Sequence, residues 1–267
     1  MKDQILKHMK ESCPWQDSIL WFDTIDSTNT YAKRLAAEGA PSGTVILADY
    51  QTGGRGRMGR SFHSPAGTGL YMSLILRPDC SASELMHLTC ATAAAVCDAI
   101  GESAGIRPGI KWTNDLVYNG RKLAGILTEL GLNARGGVDY AIIGIGVNCA
   151  QQPEDFPEEI RSIAGSVAWA SGHAIDRCRL AACLIEKLYQ MQLQLSSQKQ
   201  SLLERYRADC ITLGKDISLL SADGSVRHGK ALDIDSEYRL LVQFEDGTLK
   251  AVTSGEVSIR GMYGYCP

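Results

Sequence analysis

Residues 53–60 read GGRGRMGR, a run of four glycines and three arginines. The glycines let the backbone bend freely and approach a ligand closely. Arg55, Arg57 and Arg60 carry planar guanidinium forks suited to gripping phosphate or carboxylate oxygens. Together they predict a mobile loop that closes over an anion. It is not a Walker A loop, because no Gly-Lys-Ser/Thr ending follows. A second segment, KWTNDL at 111–116, is read as a strand entering a hairpin. Alternation would set Lys111, Thr113 and Asp115 on one face and Trp112 and Asn114 on the other, bringing a cation and a carboxylate together. In RKLAGIL at 121–127, Lys122 follows the turn, and Ala124 and Gly125 leave room beside the strand. GIGVN at 144–148 places glycines in an otherwise apolar strand, a sign of close backbone approach, and DSTN at 26–29 puts polar groups at a helix start. Taken singly, each has a plainer explanation: a solvated or nucleic-acid-touching loop, a surface ion pair of little energetic weight, a bulge, tight sheet packing, a helix cap. Their order and combination carry the chemistry.

The elements that must position these segments follow from pattern. Trp21 to Ile25 reads as a strand leading into DSTN, where Asp26 or Ser27 caps a helix bearing Tyr31, Ala32 and Leu35 on one face, stopped by Gly39. Residues 43–50 and 68–77 read as strands flanking the Gly/Arg loop. Ser81 and Glu84 fit a capping box for a helix to about Ile100, closed by Gly101. Asn119-Gly120 is the strongest turn signal in the chain, since Asn-Gly readily adopts the positive φ angles of a type I′ hairpin. Residues 139–148 supply another strand, and Asp176 opens a helix with Leu180, Leu184, Leu188, Met191 and Leu195 at helical spacing. Beyond Gly214, short strand candidates separated by Asp223-Gly224, Ser236-Glu237 and Asp246-Gly247 predict a small antiparallel barrel. The expected organisation is an N-terminal tail (1–19), an α+β catalytic domain with a mixed sheet (20–210) and the barrel (211–267).

Composition bounds the function classes. At 45% hydrophobic and 21% charged residues the chain is of ordinary globular type, long enough to bury a core unaided. A net charge of −3 gives no global basic field for nucleic acid or anionic membrane. No apolar run is long enough for a membrane span, and the N-terminus lacks a signal-peptide core. Nine cysteines without a CxxC pair predict small buried hydrophobes in a reducing cytoplasm, and five scattered histidines argue against zinc.

DSTN, YQTGGRGRMGR, SPAGTGLYMSLILRP, KWTNDL, RKLAGIL and GIGVN, followed by a small barrel, together resemble the biotin protein ligases, block for block from about Leu20 to Ile259. The resemblance implies a catalytic domain related to class II aminoacyl-tRNA synthetases and an SH3-like C-terminal barrel. It implies that biotin and ATP give biotinyl-5′-AMP and pyrophosphate, with Mg²⁺ accompanying ATP, before the biotinyl group passes to one lysine of an acceptor. That acceptor would be the biotin carboxyl carrier protein domain of a biotin-dependent carboxylase. About 20 residues precede the first block, too few for a helix-turn-helix domain, so the resemblance is to the monofunctional, cytoplasmic class, monomer or homodimer, with no specific DNA partner.

Position by position, the resemblance implies that Ser27, Thr28 and Gln51 meet the polar head of biotin. Gly54, Arg55, Gly56 and Arg57 match the covering loop, and Gly125 and Gly144 the pocket lining. Lys122 matches the lysine beside the biotin carboxylate and α-phosphate, and Asp115 the residue nearest the acceptor lysine; with Arg57 these are the expected catalytic residues. Asn29, Arg57, Arg60, Lys111, Asn114 and Asn148 match the nucleotide side. Three departures stand out: Thr113 replaces a usual proline, Phe62 a usual tryptophan and Met58 a frequent arginine. Three competing readings are a lipoate or octanoate ligase of the same fold, a nucleic-acid-binding module, and a biotin-sensing regulator without catalysis.

Overall fold

A computed structural model describes all residues except 79–80, 82–83, 135–136, 222–223, 254–255 and 260–267, and describes only the backbone at 256 and 258. Seven strands form one mixed sheet: β1 (Ile19–Ile25), β2 (Val45–Gln51), β3 (Gly69–Leu76), β4 (Gly109–Lys111), β5 (Asp115–Tyr118), β6 (Arg121–Leu132) and β7 (Val138–Asn148). Their order is β1-β2-β3-β7-β6-β5-β4, with β1 and β2 parallel and every other pair antiparallel. Five further strands, β8 (Asp216–Leu220), β9 (Val226–Ile234), β10 (Leu240–Phe244), β11 (Leu249–Val252) and β12 (Glu256–Ile259), make a second, antiparallel sheet ordered β11-β10-β9-β8-β12. The mixed sheet and the separate small β unit are those expected from sequence.

Among the described residues there are seven helices: α1 (Lys2–His8), α2 (Thr28–Ala37), α3 (Leu85–Ala104), α4 (Glu158–Arg161), α5 (Val167–Ser171), α6 (Arg177–Gln194) and α7 (Lys199–Asp209). The central strand β3 is buried along its whole length, so both faces must be covered. Its Leu70, Met72, Leu74 and Leu76 join the main core with α3 and α6, while Ile75 joins Ala32 and Ala36 of α2 on the opposite face. A one-residue slip of β3 would turn Ser73 into the main core and four large apolar side chains out of it, which fixes the register.

In residues 1–19, the expected N-terminal tail, Ile5, Met9, Cys13 and Trp15 are buried in the main core, and α1 packs on α6. Several other expectations change. Residues 112–114 are not strand but a turn between β4 and β5, with Lys111 opposite Asp115 in the ladder. The turn is held from elsewhere, by Tyr206 Oη donating to the Thr113 carbonyl at 3.3 Å and Asn114 Nδ2 to the Ile126 carbonyl at 3.1 Å. The helix expected to end at Gly101 runs on to Ala104, because Ala104 is itself buried, and it closes at Gly105 with φ 69°. Ser81 and Glu84 form half of the expected box: the Glu84 carboxylate accepts from the Ser81 N–H, but the Ser81 hydroxyl turns to that carboxylate and does not cap. Asp223, Cys80 and Cys266 lie outside the described residues. The seven other cysteines are free and buried.

Candidate active site

The face of β3, β7 and β6 turned away from the main core becomes a floor near their middle. Period-two alternation puts Ser73, Gly144, Gly146, Gly125, Leu127 and Glu129 on it, while Ile143, Ile145, Val147, Ala124 and Ile126 point to the main core. Three glycines in neighbouring strands leave a hollow. At Gly144 a Cβ would fall 2.1 Å from Asn29 Oδ1, and at Gly146 2.5 Å from Phe62 Cε1. The start of α2 forms one wall. Ser27 caps it as expected, and Thr28 donates both its N–H and its hydroxyl to Gln51 Oε1, at 2.9 and 3.1 Å. Gln51 Nε2 donates to Ser64 Oγ at 2.9 Å, and Ser73 Oγ reaches Thr28 Oγ1 at 2.8 Å and Asn29 Oδ1 at 2.6 Å. This chain fixes polar groups that a sequence pattern shows only as a helix cap.

The other wall is the Gly/Arg loop, which folds as a hairpin. Arg55 bridges Ser61, Gly56 N–H donates to the Arg60 carbonyl at 2.7 Å, and Met58 (φ 55°) with Gly59 (φ 76°) turns the tip. Gly54 works inside the hairpin: a Cβ there would fall 2.4 Å from the Phe62 carbonyl oxygen. Arg57 leaves the hairpin to donate to Asn114 Oδ1 at 2.5 Å and Thr113 Oγ1 at 3.1 Å.

Two adjoining clefts result. The first, of about 460 Å³ including its mouth, takes in Ser27, Thr28, Asn29, Gln51, Arg55, Gly125 and Gly144. The second, of about 630 Å³, takes in Arg60, Lys111, Trp112, Asp115 and Val257, the last from β12 of the small sheet. Gly56, Arg57, Phe62, Asn114 and Lys122 line both. At that junction Lys122 Nζ lies 2.7 Å from Asp115 Oδ1, and Asn114 Nδ2 donates to the same oxygen at 3.0 Å.

Fourteen of the sixteen expected site residues therefore line one cleft or the other. Asn29, expected on the nucleotide side, lines the first cleft only. Gly54 and Asn148 line neither. Asn148 sits behind Lys122 and donates to the Lys122 and Gly165 carbonyls, at 3.3 and 3.0 Å, while Lys122 exchanges backbone bonds with Ile163 and Gly165. Sequence reasoning missed the apolar lining (Met72, Ile126, Leu127, Ile145), Gly146 and Val257, and Ser73 and Glu129, which hydrogen-bond to Asn29 of the first cleft. Of these, Gly146 had a legible signal, since it alternates with Gly144 in the same strand.

Residues 21–148 match the biotin/lipoate A/B protein ligase family, and residues 212–260 match the biotin protein ligase C-terminal domain. The bifunctional ligase/repressor BirA of Bacillus subtilis is 39% identical over 244 residues, covering 90% of this chain and 74% of that protein. The chain belongs to the biotin protein ligase family. A Mycobacterium tuberculosis biotin–[acetyl-CoA-carboxylase] ligase is 32% identical over 237 residues, covering 86% of this chain and 85% of that one. Among solved structures, the Aquifex aeolicus biotin protein ligase in complex with biotin and ATP superposes with a TM-score of 0.77 at 29% identity, covering 91% of this chain and 98% of that one. The fold and the ligase class stand on these likenesses. Among the described residues no helix is long and apolar enough to cross a membrane.

Proposed function

We propose that this chain activates biotin as biotinyl-5′-AMP across the two clefts and transfers it to one lysine of a biotin carboxyl carrier protein domain. The observation that carries the reading is the shared junction: Lys122, Arg57 and Asn114 line both clefts, with Asp115 paired to Lys122 there. Biotin's bicyclic head fits the first cleft, within reach of Ser27, Thr28 and Gln51, with its carboxylate toward Lys122. The nucleotide fits the second, beside Arg60, Lys111 and Asn114.

In the first step a carboxylate oxygen attacks the α-phosphorus, the bond to the β-phosphate breaks, and pyrophosphate leaves. Both reactants are anions, so Lys122 and Arg57 offset their repulsion and the charge that develops at the phosphorus. Mg²⁺ belongs to the nucleotide substrate. Among the described residues no cluster of three His, Cys, Asp or Glu side chains offers it a protein cage. The mixed anhydride is prone to hydrolysis, and the hairpin with Phe62 covers the junction from water. In the second step the acceptor amine attacks the biotinyl carbonyl, an amide forms, and AMP leaves. An acceptor lysine is mostly protonated at neutral pH, with a reference pKa of about 10.4. Asp115 orients that ammonium and accepts its proton.

The test is incubation of the purified chain with ATP, Mg²⁺, biotin and a carrier domain, followed by mass spectrometry of the carrier. One biotinyl group on one lysine is expected. Absence of both biotinyl-5′-AMP and modified carrier overturns the reading.

A further inference from the structure

We propose that Glu129 is a positioning residue that fastens the first arm of the Gly/Arg hairpin over the biotin cleft by holding Arg55, independently of the Arg57–Asn114 contact nearer the tip. The proposal rests on the reading of the first cleft as the biotin site. Glu129 stands on the floor face of β6, two and four residues beyond Leu127 and Gly125, and its side chain is 16% exposed. A carboxylate so placed requires partners, and it has three. Its Oε1 lies 2.5 Å from Lys33 Nζ of α2 and 3.3 Å from the Arg55 guanidinium, and its Oε2 accepts from Asn29 Nδ2 at 2.9 Å. Burial would raise its pKa, but the hydrogen bonds from Lys33 and Asn29 and the charges of Lys33 and Arg55 outweigh that and hold it below the usual range.

The partners differ in how freely they can leave. Asn29 is buried and tied to Ser73, and Lys33 belongs to a helix packed on the sheet. Arg55 sits on a hairpin with a half-exposed side chain, so its contact is the one that opens. The hairpin is thus held at two points, Arg55 to Glu129 by the first cleft and Arg57 to Asn114 at the junction. Releasing only the first should loosen retention of biotin and its adenylate while leaving the Lys122–Asp115 end in place.

The experiment loads wild type, Glu129→Gln, Arg55→Gln and the double variant with labelled biotinyl-5′-AMP and measures its release under an unlabelled chase. Glutamine keeps an acceptor for Asn29 and removes the charge. Each single variant is expected to release the adenylate about fivefold faster. The double variant should be no faster than either alone, because both break one contact. Raising NaCl to about 0.5 M should speed wild-type release toward the variant rate and change Glu129→Gln little, a response that a packing role would not give. Tryptic cleavage within residues 53–60 of the ligand-free protein should also be faster in Glu129→Gln. Wild-type rates of release and cleavage in Glu129→Gln, or additive effects in the double variant, overturn the latch. If Glu129→Gln fails to fold, Arg55→Gln and the wild-type salt response decide. Failure of wild type to form biotinyl-5′-AMP would overturn the functional reading instead, while the cleavage assay still judges the latch.

Discussion

Replacing Gly144 with alanine tests the floor of the first cleft most directly. The added Cβ would sit 2.1 Å from Asn29 Oδ1, roughly 1.3 Å short of the 3.4 Å at which ordinary contact begins. Asn29 has little freedom to retreat. It is buried, its Oδ1 accepts from Ser73 at 2.6 Å, and its Nδ2 is spent on Glu129 and the Leu127 carbonyl. Without ligand the amide can swing into the empty cleft, at the cost of the Ser73 bond, about 1–2 kcal/mol. That corresponds to a Tm lower by roughly 2–8 °C. Binding biotin would then force the amide back against the new methyl, an overpacking term of about 1–3 kcal/mol, so biotin affinity should fall about 5- to 150-fold. Isothermal titration with biotin and a thermal melt measure the two parts. Gly146→Ala is the control, because its Cβ meets the Phe62 ring, a partly exposed side chain at the base of the hairpin with room to turn, and a milder loss is expected. Adding Asn29→Ala to Gly144→Ala should bring no loss beyond that of Asn29→Ala alone. Biotin affinity within twofold of wild type in Gly144→Ala, with an unchanged Tm, would refute the reasoning.

Lys122→Met should slow formation of biotinyl-5′-AMP by about 100-fold or more, and slow transfer from supplied biotinyl-5′-AMP far less; equal losses in the two half-reactions would contradict its placement. The Glu84 carboxyl is pulled down to about 2 by hydrogen bonds from Lys199 and the Ser81 N–H. A depressed folded pKa contributes stability above the unfolded value, near 4.5, and that contribution fades as pH falls toward 2. The gap in urea stability between wild type and Glu84→Gln should therefore be small and constant from pH 7 to about 5.5, under about 1 kcal/mol for a partly exposed pair, and should narrow below pH 4.5. A gap that widens on acidification would reverse the sign. Burial raises the pKa of all seven described cysteines. Native protein should thus yield at most two rapidly titrating thiols of its nine, and denatured protein all nine.

Local signals survived folding where the chemistry was local. Asn119 and Gly120 take positive φ, 45° and 76°, because no other short pair enters a two-residue hairpin so readily. Ser27 and Asp176 cap their helices through side chains that reach N–H groups two or three residues on. Misreadings arose where distant contacts decided. Residues 111–116 have the alternation of a strand, yet Tyr206, more than 90 positions away, holds their turn. Gly101 and Gly105 are equivalent as helix stops in sequence, and only the burial of Ala104 carries the helix past the first. Glu129 was invisible as a site residue, because a polar residue late in a strand reads as a solvated edge. Only the folded sheet shows that Asn29 and Lys33, about 100 positions earlier, converge on it.

The use of one junction for two clefts bears on the order of events. A ligase whose adenylate had to migrate between separate sites would expose a hydrolysable anhydride on the way. Here the groups proposed to receive the acceptor amine, Asp115 with its Lys122 partner, stand where the proposed biotin carboxylate and α-phosphate meet. The activated carbonyl would therefore be made within reach of its attacker and need not move. The hairpin then has opposing duties: it must cover the junction while the anhydride waits, and admit a lysine afterwards. A hairpin tied at two points of different strength, the half-exposed Arg55–Glu129 pair and the buried Asn114 contact of Arg57, reconciles them. The weaker tie can open on the proposed biotin side without surrendering the arginine proposed to face the phosphate.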